Sequence, residues 1–529
     1  MNARVLILDE LSPAALDVFA RRGLAPEVKT GLKDERLLEA VGDAEALVVR
    51  SATRITRAVI EAAPRLRVVG RAGIGVDNVD LEAATERGVV VMNTPMGNAT
   101  TTAELAIALV FALARHITRA DRLVRSGKWR AKDLVGTELF GKTLGVIGLG
   151  RIGRIVAERG RGIGMKVLGH DPYLAPDPGV SINGVELLGL EELLARSDFI
   201  SVHVPLNDST RNLLSWKELA RVKPGARLIQ ASRGGVVDEE AVLDALSNAR
   251  LGGAAFDVFV EEPPPRDHPL LAREDVIVTP HLGASSEEAQ QRVALDIAEQ
   301  IADFLLDGVA RNAVNAPSLP VESLHEVAPY TLLAEKMGSF VAQRMGGPIR
   351  KVELTVAGDV KRFGIVHFRL AFLVGCLRHS LETGVNFVNA PHIARERGIL
   401  VLENTEAEAV YRQGEIHVRA AERAGGKTCS VSGTVFGREP LLTSVDDIRL
   451  DLPPKGHILI TRHQDRPGVL GQIGTVLGRH DVNIQRLELG PTESGPAYGF
   501  LTLGKRPPNE VMEAIRALDA IEEAQLIQL

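Results

Sequence analysis

The sequence predicts an α/β protein with two doubly wound parallel-sheet units, followed by two smaller α+β units. Short β-branched runs alternate with helical patterns, and this alternation occurs twice, from residue 1 to about 94 and again from 143 to 279. The length of 529 residues also exceeds the roughly 250 to 300 at which one hydrophobic core stops growing. Several domains are therefore expected.

Both parallel-sheet units are predicted from short buried runs. In the first unit, strands are expected at 5–8, 46–49, 67–69 and 89–92, and a long helix is expected to begin near Thr101. A second amphipathic helix is predicted at 287–306, with a Pro- and Asn-rich linker at 312–320. In the second unit, strands are expected at 144–147, 166–169, 199–203, 227–230 and 276–279.

The remainder of the chain divides at Leu452-Pro453-Pro454. Residues 321–453 mix helical and β-hairpin patterns. Residues 456–529 show the order strand, helix, strand, strand, helix, strand, which predicts a small ferredoxin-like sandwich.

Composition limits the class of protein. A net charge of −6 gives no basic surface for nucleic acid or an anionic membrane, and no apolar run reaches the roughly 20 residues that span a bilayer. The first predicted strand begins within a few residues of Met1, so no signal peptide is expected. Two cysteines, Cys376 and Cys429, exclude a disulfide framework and a cysteine-based metal site. We expect a cytoplasmic protein with no metal.

The strongest motif is a glycine turn, Gly148-Leu149-Gly150-Arg151-Ile152-Gly153, which follows the strand predicted at 144–147 and begins a helical pattern. Glycines at these positions let the backbone turn tightly and approach a pyrophosphate. Asp171 ends the next predicted strand, where an acid accepts the ribose hydroxyls and repels the extra phosphate of NADP. The motif predicts NAD as the cofactor, and the glycine turn upstream favours this role for Asp171 over that of a plain turn residue before Pro172.

Further motifs, taken with this turn, resemble the D-2-hydroxyacid dehydrogenase family in order and spacing over residues 1 to about 315. The resemblance implies a flavodoxin-like substrate-binding domain at 1–94 and 282–315, and a Rossmann NAD-binding domain at 95–281. The motifs are Arg71-Ala72-Gly73-Ile74-Gly75-Val76-Asp77-Asn78, Ser232-Arg233-Gly234-Gly235, Asp257-Val258-Phe259 with Glu262-Pro263-Pro264, and Pro280-His281-Leu282-Gly283-Ala284-Ser285.

Oxidation of a secondary alcohol requires a base for the hydroxyl proton and a cation beside the oxygen as it becomes a carbonyl. The resemblance implies that His281 is the base, that Glu262 fixes its tautomer, and that Arg233 holds the substrate carboxylate and the reacting oxygen. Each residue alone has an ordinary interpretation, as a loop histidine, a solvated acid or a surface arginine. The functional interpretation depends on all three occurring in the family order.

The resemblance also implies two sets of binding residues. A phosphorylated acid requires more positive charge than a lactate-like one, so arginines are expected in the substrate set. Cofactor contacts are implied at Gly148, Gly150, Arg151, Ile152, Gly153, Asp171, Ala231, Asp257, His281, Gly283 and Ala284. Substrate contacts are implied at Arg50, Arg71, Gly73, Ile74 and Asn98.

The C-terminal part carries a second resemblance. Residues 456–529, with Asp465-Arg466-Pro467-Gly468-Val469-Leu470, look like an ACT domain, which pairs across subunits and binds amino acids at the interface. Residues 321–453 are similar to the intervening, allosteric substrate-binding domain of the long family members. Those members oxidise D-3-phosphoglycerate to 3-phosphohydroxypyruvate at the start of serine synthesis. The resemblance implies serine as effector, contacts at His463, Asp465 and Asn483, and a homotetramer.

Other interpretations remain open at this point. A hydroxypyruvate or glyoxylate reductase has the same catalytic set but no ACT tail. A dinucleotide-sensing regulator of the same fold does not need Arg233, Glu262 and His281 together. For the tail, the alternative is a dimerisation module without a ligand.

Overall fold

The computed structural model describes residues 3–129, 131–174, 181–182, 184–317, 321–379, 381, 384–411, 413–422, 425–446, 448–490 and 496–529. The strands of these residues form four sheets, two of them in doubly wound α/β units and two in α+β units. This arrangement confirms the predicted fold class.

The first unit is a parallel sheet with crossover helices. Its elements are β1 (Val5–Ile7), α1 (Ala14–Arg21), β2 (Glu27–Val28), α2 (Asp34–Val41), β3 (Ala46–Val49), α3 (Arg57–Glu61), β4 (Val68–Arg71), α4 (Leu81–Glu86) and β5 (Val90–Asn93). The strand order β2-β1-β3-β4-β5 is the flavodoxin-like order. The valine-rich central strands are buried because helices cover both faces.

The second unit contains an eight-stranded sheet, which is parallel except for its last strand. Its elements are α5 (Ala99–Ala114), α6 (Ile117–Arg125), β6 (Thr143–Ile147), α7 (Arg151–Gly162), β7 (Lys166–His170), β8 (Ser181–Ile182), β9 (Val185–Leu187), α8 (Leu190–Arg196), β10 (Phe199–Val202), α9 (Trp216–Leu219), β11 (Ala226–Gln230), α10 (Glu239–Ser247), β12 (Leu251–Phe256) and β13 (Val276–Val278). The strand order is β13-β12-β11-β10-β6-β7-β9-β8, with β8 antiparallel to β9.

No single helix in the described residues is long and apolar enough to cross a membrane. Helices α5 and α6 taken together have the length and apolar composition of a membrane span, but the two helix axes differ by 63°. Ala103, Ala106 and Leu109 of α5 pack into the core of the second unit.

Helix α11 (Glu287–Asp307) returns to the first sheet. Gly70 makes this packing possible, because a Cβ atom there would lie 2.8 Å from Cγ1 of Ile297. After the helix, Val314 N donates to Val91 O at 2.7 Å, and Asn315 Oδ1 accepts from Val91 N at 2.9 Å. The predicted linker is therefore wrong for 312–315, which is bound to β5. Residues 318–320 of that prediction lie outside the described residues.

The third and fourth units are α+β. The third consists of α12 (Val321–Met345), β14 (Lys351–Ala357), α13 (Ile365–Arg378), α14 (Ala390–Glu396), β15 (Leu400–Glu406), β16 (Glu415–Ala421), β17 (Thr428–Phe436), β18 (Glu439–Val445) and β19 (Ile448–Leu452). The fourth consists of β20 (His457–His463), α15 (Val469–Arg479), β21 (Ile484–Gly490), β22 (Ala497–Leu503), α16 (Asn509–Arg516) and β23 (Ile521–Gln528). The sheet orders are β15-β14-β16-β17-β18-β19 and β21-β22-β20-β23.

Helix α12 joins the third unit to the fourth. Gln343 near its end accepts from Gln528 N at 2.9 Å and donates to Gln528 O at 2.8 Å, and the neighbouring Arg344 is bonded to Glu523. Ile458 and Ile460 of β20 belong to the same hydrophobic core as this helix. One face of the fourth sheet therefore packs into the core of the third unit, and its other face covers a separate core with α15 and α16.

Candidate active site

Three neighbouring strands bring the expected catalytic residues to one sheet edge. Arg233 lies three residues after β11, Asp257 directly follows β12, and His281 lies three residues after β13. These strands are parallel and adjacent, so their carboxyl ends meet at the same edge. Ligands of open α/β sheets bind at that edge.

His281 and Glu262 form a hydrogen-bonded pair. Glu262 Oε2 accepts from His281 Nδ1 at 2.7 Å, so Nδ1 carries the proton and Nε2 is left to face a ligand. Burial alone raises the pKa of Glu262, but the bond from His281, the backbone bond from Phe259 N and the charge of Arg233 outweigh it and lower that pKa. The carboxyl group is therefore ionised at neutral pH and holds the imidazole in one tautomer.

Arg233 reaches across the cleft to the first unit. Its Nε donates to Asp77 Oδ2 at 2.9 Å, and its Nη1 donates to Ser232 O at 2.7 Å. A Cβ atom on Gly75 would lie 2.0 Å from Arg233 Nη2, so glycine leaves room for the guanidinium beside the backbone. Asp77 thus pairs with the Arg233 guanidinium, which would otherwise be unpaired until an anionic substrate binds.

Asp257 organises the loop that carries His281. Its buried carboxylate accepts from Thr279 Oγ1 at 2.6 Å, Leu282 N at 2.7 Å and Gly283 N at 3.0 Å. Burial raises the pKa of Asp257, and the three bonds oppose that rise. Gly283 is buried beside this carboxylate and Ala284 is half-buried. Whether these residues also contact NAD, as the resemblance implies, stays a prediction.

The glycine turn has the shape that a dinucleotide requires. A Cβ atom on Gly153 would lie 1.9 Å from Gly148 O, so helix α7 can begin this close to β6 only with glycine. The Cβ position of Gly150, the residue before α7, faces open space, and no side chain caps the helix. Free N–H groups therefore face that space, where a pyrophosphate would be bound.

The other expected cofactor residues surround this turn. Asp171 Oδ2 accepts from Leu149 N at 2.9 Å, which holds the acid at the end of β7 beside the turn. Arg151 is exposed in the first turn of α7, Ile152 is half-buried, and Ala231 is buried after β11. The residues present fit NAD, which supplies a hydride acceptor when bound.

The expected substrate residues line the facing edge of the first sheet. Arg50 follows β3, Arg71 ends β4, and the two strands are neighbours. A Cβ atom on Gly73 would lie 1.5 Å from Arg71 Nη1, so the guanidinium lies across that backbone. Ile74 O accepts from Asn93 Nδ2 at 2.5 Å, which ties the turn after β4 to the end of β5.

Three buried polar atoms at this edge have no hydrogen-bond partner among the described residues: Arg71 Nε, Thr94 Oγ1 and Asn98 Oδ1. Burial and the positive charges of Arg233 and Arg50 lower the pKa of Arg71 to about 10, partly opposed by Asp77 and Asp9. Arg71 stays charged at neutral pH and lies among like charges. Such a group requires an anion, because an unpaired buried charge is costly.

Sequence reasoning assigned no role to two acids at this edge. Asp9, directly after the first predicted strand, accepts from Arg50 N at 2.7 Å and from Thr53 Oγ1 at 2.6 Å. It therefore fixes the loop that carries Arg50. Asp77 was visible only as part of a motif. An acid that follows a buried strand at the carboxyl edge is the signal that identifies Asp9.

The expected effector residues do not come together within one chain. Strands β20 and β21 both pair with β22, and His457 and Ile484 face Leu503 at one end. Asn483 precedes Ile484 at this end, whereas His463 faces Ala497 at the other, six residues of strand away, or roughly 20 Å. Asp465 follows His463. His463 is buried, which lowers its pKa although Asp465 opposes this, and Asp465 and Asn483 are exposed.

Among the described residues, no group of three or more His, Cys, Asp or Glu side chains has a metal-binding arrangement. The glycine turn and the hydrogen-bonded His281–Glu262 pair at the carboxyl edge define a dehydrogenase that uses a nicotinamide dinucleotide and a histidine–carboxylate pair. Comparison with protein families gives the same class. Residues 107–283 match the NAD-binding domain of D-isomer specific 2-hydroxyacid dehydrogenases, so the chain is an NAD-dependent enzyme of this type.

The C-terminal units also match known families. Residues 326–446 match the D-3-phosphoglycerate dehydrogenase intervening domain, and residues 457–520 match the ACT domain. Over 99% of its length the chain is 41% identical to D-3-phosphoglycerate dehydrogenase of Methanocaldococcus jannaschii and 40% identical to that of Archaeoglobus fulgidus, and both relatives are covered completely. The chain belongs to the D-3-phosphoglycerate dehydrogenase family.

Solved structures resemble the first two units. The TT0316 protein of Thermus thermophilus is 38% identical, with a TM-score of 0.54 over 59% of this chain and 99% of that one. An NAD-dependent formate dehydrogenase from Staphylococcus aureus in complex with NAD is 28% identical, with a TM-score of 0.53 over 60% of this chain and all of that one. These structures share the dehydrogenase part of the chain.

Proposed function

We propose that this chain oxidises D-3-phosphoglycerate with NAD to 3-phosphohydroxypyruvate, the first step of the phosphorylated route to serine. One observation carries the choice of a doubly anionic substrate. Arg71 is half-buried, and its buried Nε is unpaired beside the like charges of Arg50 and Arg233. A substrate with a carboxylate and a phosphate supplies two anionic groups for these three cations.

The proposed roles follow from the hydrogen bonds of the site. His281 Nε2 accepts the proton of the substrate hydroxyl. Glu262, which is bonded to His281 Nδ1, stabilises the imidazolium that forms. Arg233 lies where its guanidinium stabilises the oxygen as it becomes a carbonyl. Asp77 Oδ2 accepts from Arg233 Nε at 2.9 Å. The substrate carboxylate therefore either binds Arg233 beside Asp77 or displaces Asp77 from it. NAD held at the glycine turn would supply the acceptor for the hydride of the carbinol carbon.

In the proposed clamp, Arg50 and Arg71 bind the phosphate. The backbone of Gly73 and Ile74, with Asn98, binds the carboxylate. Asn98 is 7% exposed and its Oδ1 is unpaired, so it is oriented by packing before a ligand arrives. A preformed clamp lowers the entropy cost of binding.

NADH absorbance tests the proposal directly. The enzyme is assayed with D-3-phosphoglycerate and with D-glycerate, which lacks the phosphate. We expect kcat/KM to be at least ~10²-fold higher for the phosphorylated acid, because two charge-assisted contacts contribute about 1.5 to 3 kcal/mol each. Equal values for the two acids, or a preference for glyoxylate or hydroxypyruvate, would contradict it.

The proposal extends to regulation by serine. Because Asp465 and Asn483 lie at opposite ends of one sheet, a site that uses both requires a second chain. Edge strand β21 carries Leu487 and Leu489, which are 40% and 49% exposed and are suited to contact another copy. A homotetramer is the assembly proposed. Activity that is insensitive to millimolar serine at several pH values would refute the feedback role.

A cytoplasmic location is the remaining part of the proposal. Cys376 and Cys429 are free and buried, and burial raises the pKa of each thiol to about 12. Both remain protonated and inaccessible, as expected of structural cysteines in a reducing compartment. Localisation of a tagged chain by fractionation checks this point.

A further inference from the structure

We propose that a cavity between the first and third units binds an amphipathic organic anion, such as a medium-chain carboxylate. The cavity has a volume of about 710 Å³ and lies away from the catalytic cleft. One wall comes from the first sheet and the end of α11, and the facing wall comes from α12, α13 and the residues before α14. Sites for small organic ligands commonly have 300 to ~1,000 Å³.

The interior of the cavity suits an apolar ligand body. Leu332 on α12 and Phe387 before α14 are 46% and 41% exposed, although both line the cavity. Phe304 of α11 lines the opposite wall. Large apolar side chains that two units leave uncovered at a shared cavity gain stability when a hydrocarbon chain covers them.

One wall of the cavity is positively charged. Arg67 and Arg87 of the first unit both line it. Arg87 has no side-chain hydrogen bond or ion pair among the described residues. Arg67 Nη1 lies 3.6 Å from Glu45 Oε2, and Arg67 Cζ lies 5.5 Å from the centre of the Phe304 ring. Arg87 is therefore the guanidinium available to an anionic group, Arg67 on the same wall is shared with Glu45, and Phe304 lies next to the place where the apolar body would begin.

The facing wall does not cancel this charge. Glu335 of α12 is already paired with Arg378 at 2.7 Å. His367 of α13 is half-buried, and burial lowers its pKa, so the imidazole is neutral at physiological pH. The guanidinium of Arg87, which has no partner among the described residues, faces a compensated acid and a neutral imidazole, and this arrangement selects an anion over a cation or a neutral molecule.

The position of the cavity connects it to the rest of the molecule. Val327 and Thr331 of α12 line the cavity, and Gln343 and Arg344 at the other end of the same helix bind β23 of the ACT unit. A bound anion would contact both the first sheet and this helix. Its binding is therefore expected to be coupled to the ACT unit, and such coupling is reciprocal.

Fluorescence titration of the full-length enzyme tests the site. The probe is 1-anilinonaphthalene-8-sulfonate, an aromatic anion that fluoresces in apolar sites, and the competitors are decanoate and uncharged decanol. We expect saturable binding with one site per chain, and displacement by decanoate at tenfold or more lower concentration than by decanol. Equal potency of the two competitors overturns the proposal.

Two variants locate the binding. Arg67→Gln with Arg87→Gln is expected to weaken decanoate at least ~10-fold and leave decanol unchanged, because it removes only charge. Arg21→Gln with Arg36→Gln, which removes two charges of the same unit outside the cavity lining, is the matched control and should change neither. Ala328→Trp fills the cavity and should abolish probe binding. If the first double variant binds decanoate as the control does, the site is not this cavity.

The readout does not depend on the proposed reaction. Binding is measured without substrate, so an enzyme inactive on phosphoglycerate still tests the cavity. Conversely, an active enzyme whose probe binding is unaffected by the arginine variants retains its function and lacks this site. Unchanged melting temperatures of the variants establish that they are folded.

Discussion

The catalytic cleft and the ACT unit place their expected ligand contacts in opposite ways. In the cleft, Glu262 holds His281 at 2.7 Å and Asp77 holds Arg233 at 2.9 Å, so one chain orders the reacting groups by itself. In the ACT unit, Asp465 and Asn483 lie at opposite ends of one sheet. The reacting groups are thus preorganised within one subunit, whereas the proposed effector site requires a second chain.

This contrast has a physical reason. A reacting group must be fixed before the substrate arrives, because reorganisation during the reaction raises the barrier. An effector site can be shared between chains, since a ligand that bridges them changes how they are held together. Four experiments test the contrast.

The largest effect is expected at His281. His281→Asn removes the proton acceptor and should lower kcat by ~10²- to 10⁴-fold. Titration with NADH separates this loss from the cofactor contact that the resemblance implies for His281, and the dissociation constant should change far less than kcat because the glycine turn keeps its geometry. A variant with near-normal kcat would show that another group accepts the proton.

Arg50 should have the next largest effect. Arg50→Ala is expected to raise KM for D-3-phosphoglycerate about 10- to 100-fold, the loss of one charge-assisted contact, and to leave KM for D-glycerate almost unchanged. Initial-rate kinetics with both acids measure the difference. Arg57→Ala, which removes an arginine that is paired with Glu86 and has no role in the proposed clamp, is the comparison variant. Equal losses on both acids would argue against phosphate recognition.

Glu262 gives a smaller effect with a defined pH dependence. Glu262→Gln should lower kcat about 10- to 100-fold, as removal of other orienting partners does. The folded pKa of Glu262 is lowered, so its stabilising contribution is complete above the ordinary pKa of about 4.3 and is lost as pH falls through the lowered value.

Urea unfolding measures that contribution. The wild type should be more stable than Glu262→Gln at pH 7, and the difference should shrink at pH 3. A difference that stays constant between these pH values would mean that the carboxylate does not stabilise the fold through its charge.

The smallest effect concerns serine. His463→Ala and Asn483→Ala should each abolish inhibition by serine. When the two variants are mixed as subunits, each mixed pair has one site with both changes and one intact site, so partial inhibition should return. Mixing His463→Ala with Asp465→Ala is the control, because both changes lie at the same end of the sheet. Equal recovery in the two mixtures would place the whole site in one chain.

Much of the fold could be predicted from local pattern. The strand at 46–49 has the predicted bounds, and the helix at 287–306 ends one residue later than predicted. Strand β12 was not predicted, because Gly252 and Gly253 in Leu251–Phe256 resemble a turn. A Cβ atom on Gly252 would lie 2.6 Å from Gly225 O, so glycine is required there by a neighbour that is distant in the sequence.

The sequence by itself determined the two sheet units, the glycine turn before α7, and the family to which Arg233, Glu262 and His281 belong. These features depend on residue type and spacing within short segments. Only the tertiary structure decided that Asp77 neutralises Arg233, that Asp465 and Asn483 lie at opposite ends of a sheet, and that α12 faces a cavity. Contacts between residues 156 positions apart, such as Arg233 and Asp77, arise from the packing of whole units, which no local pattern encodes.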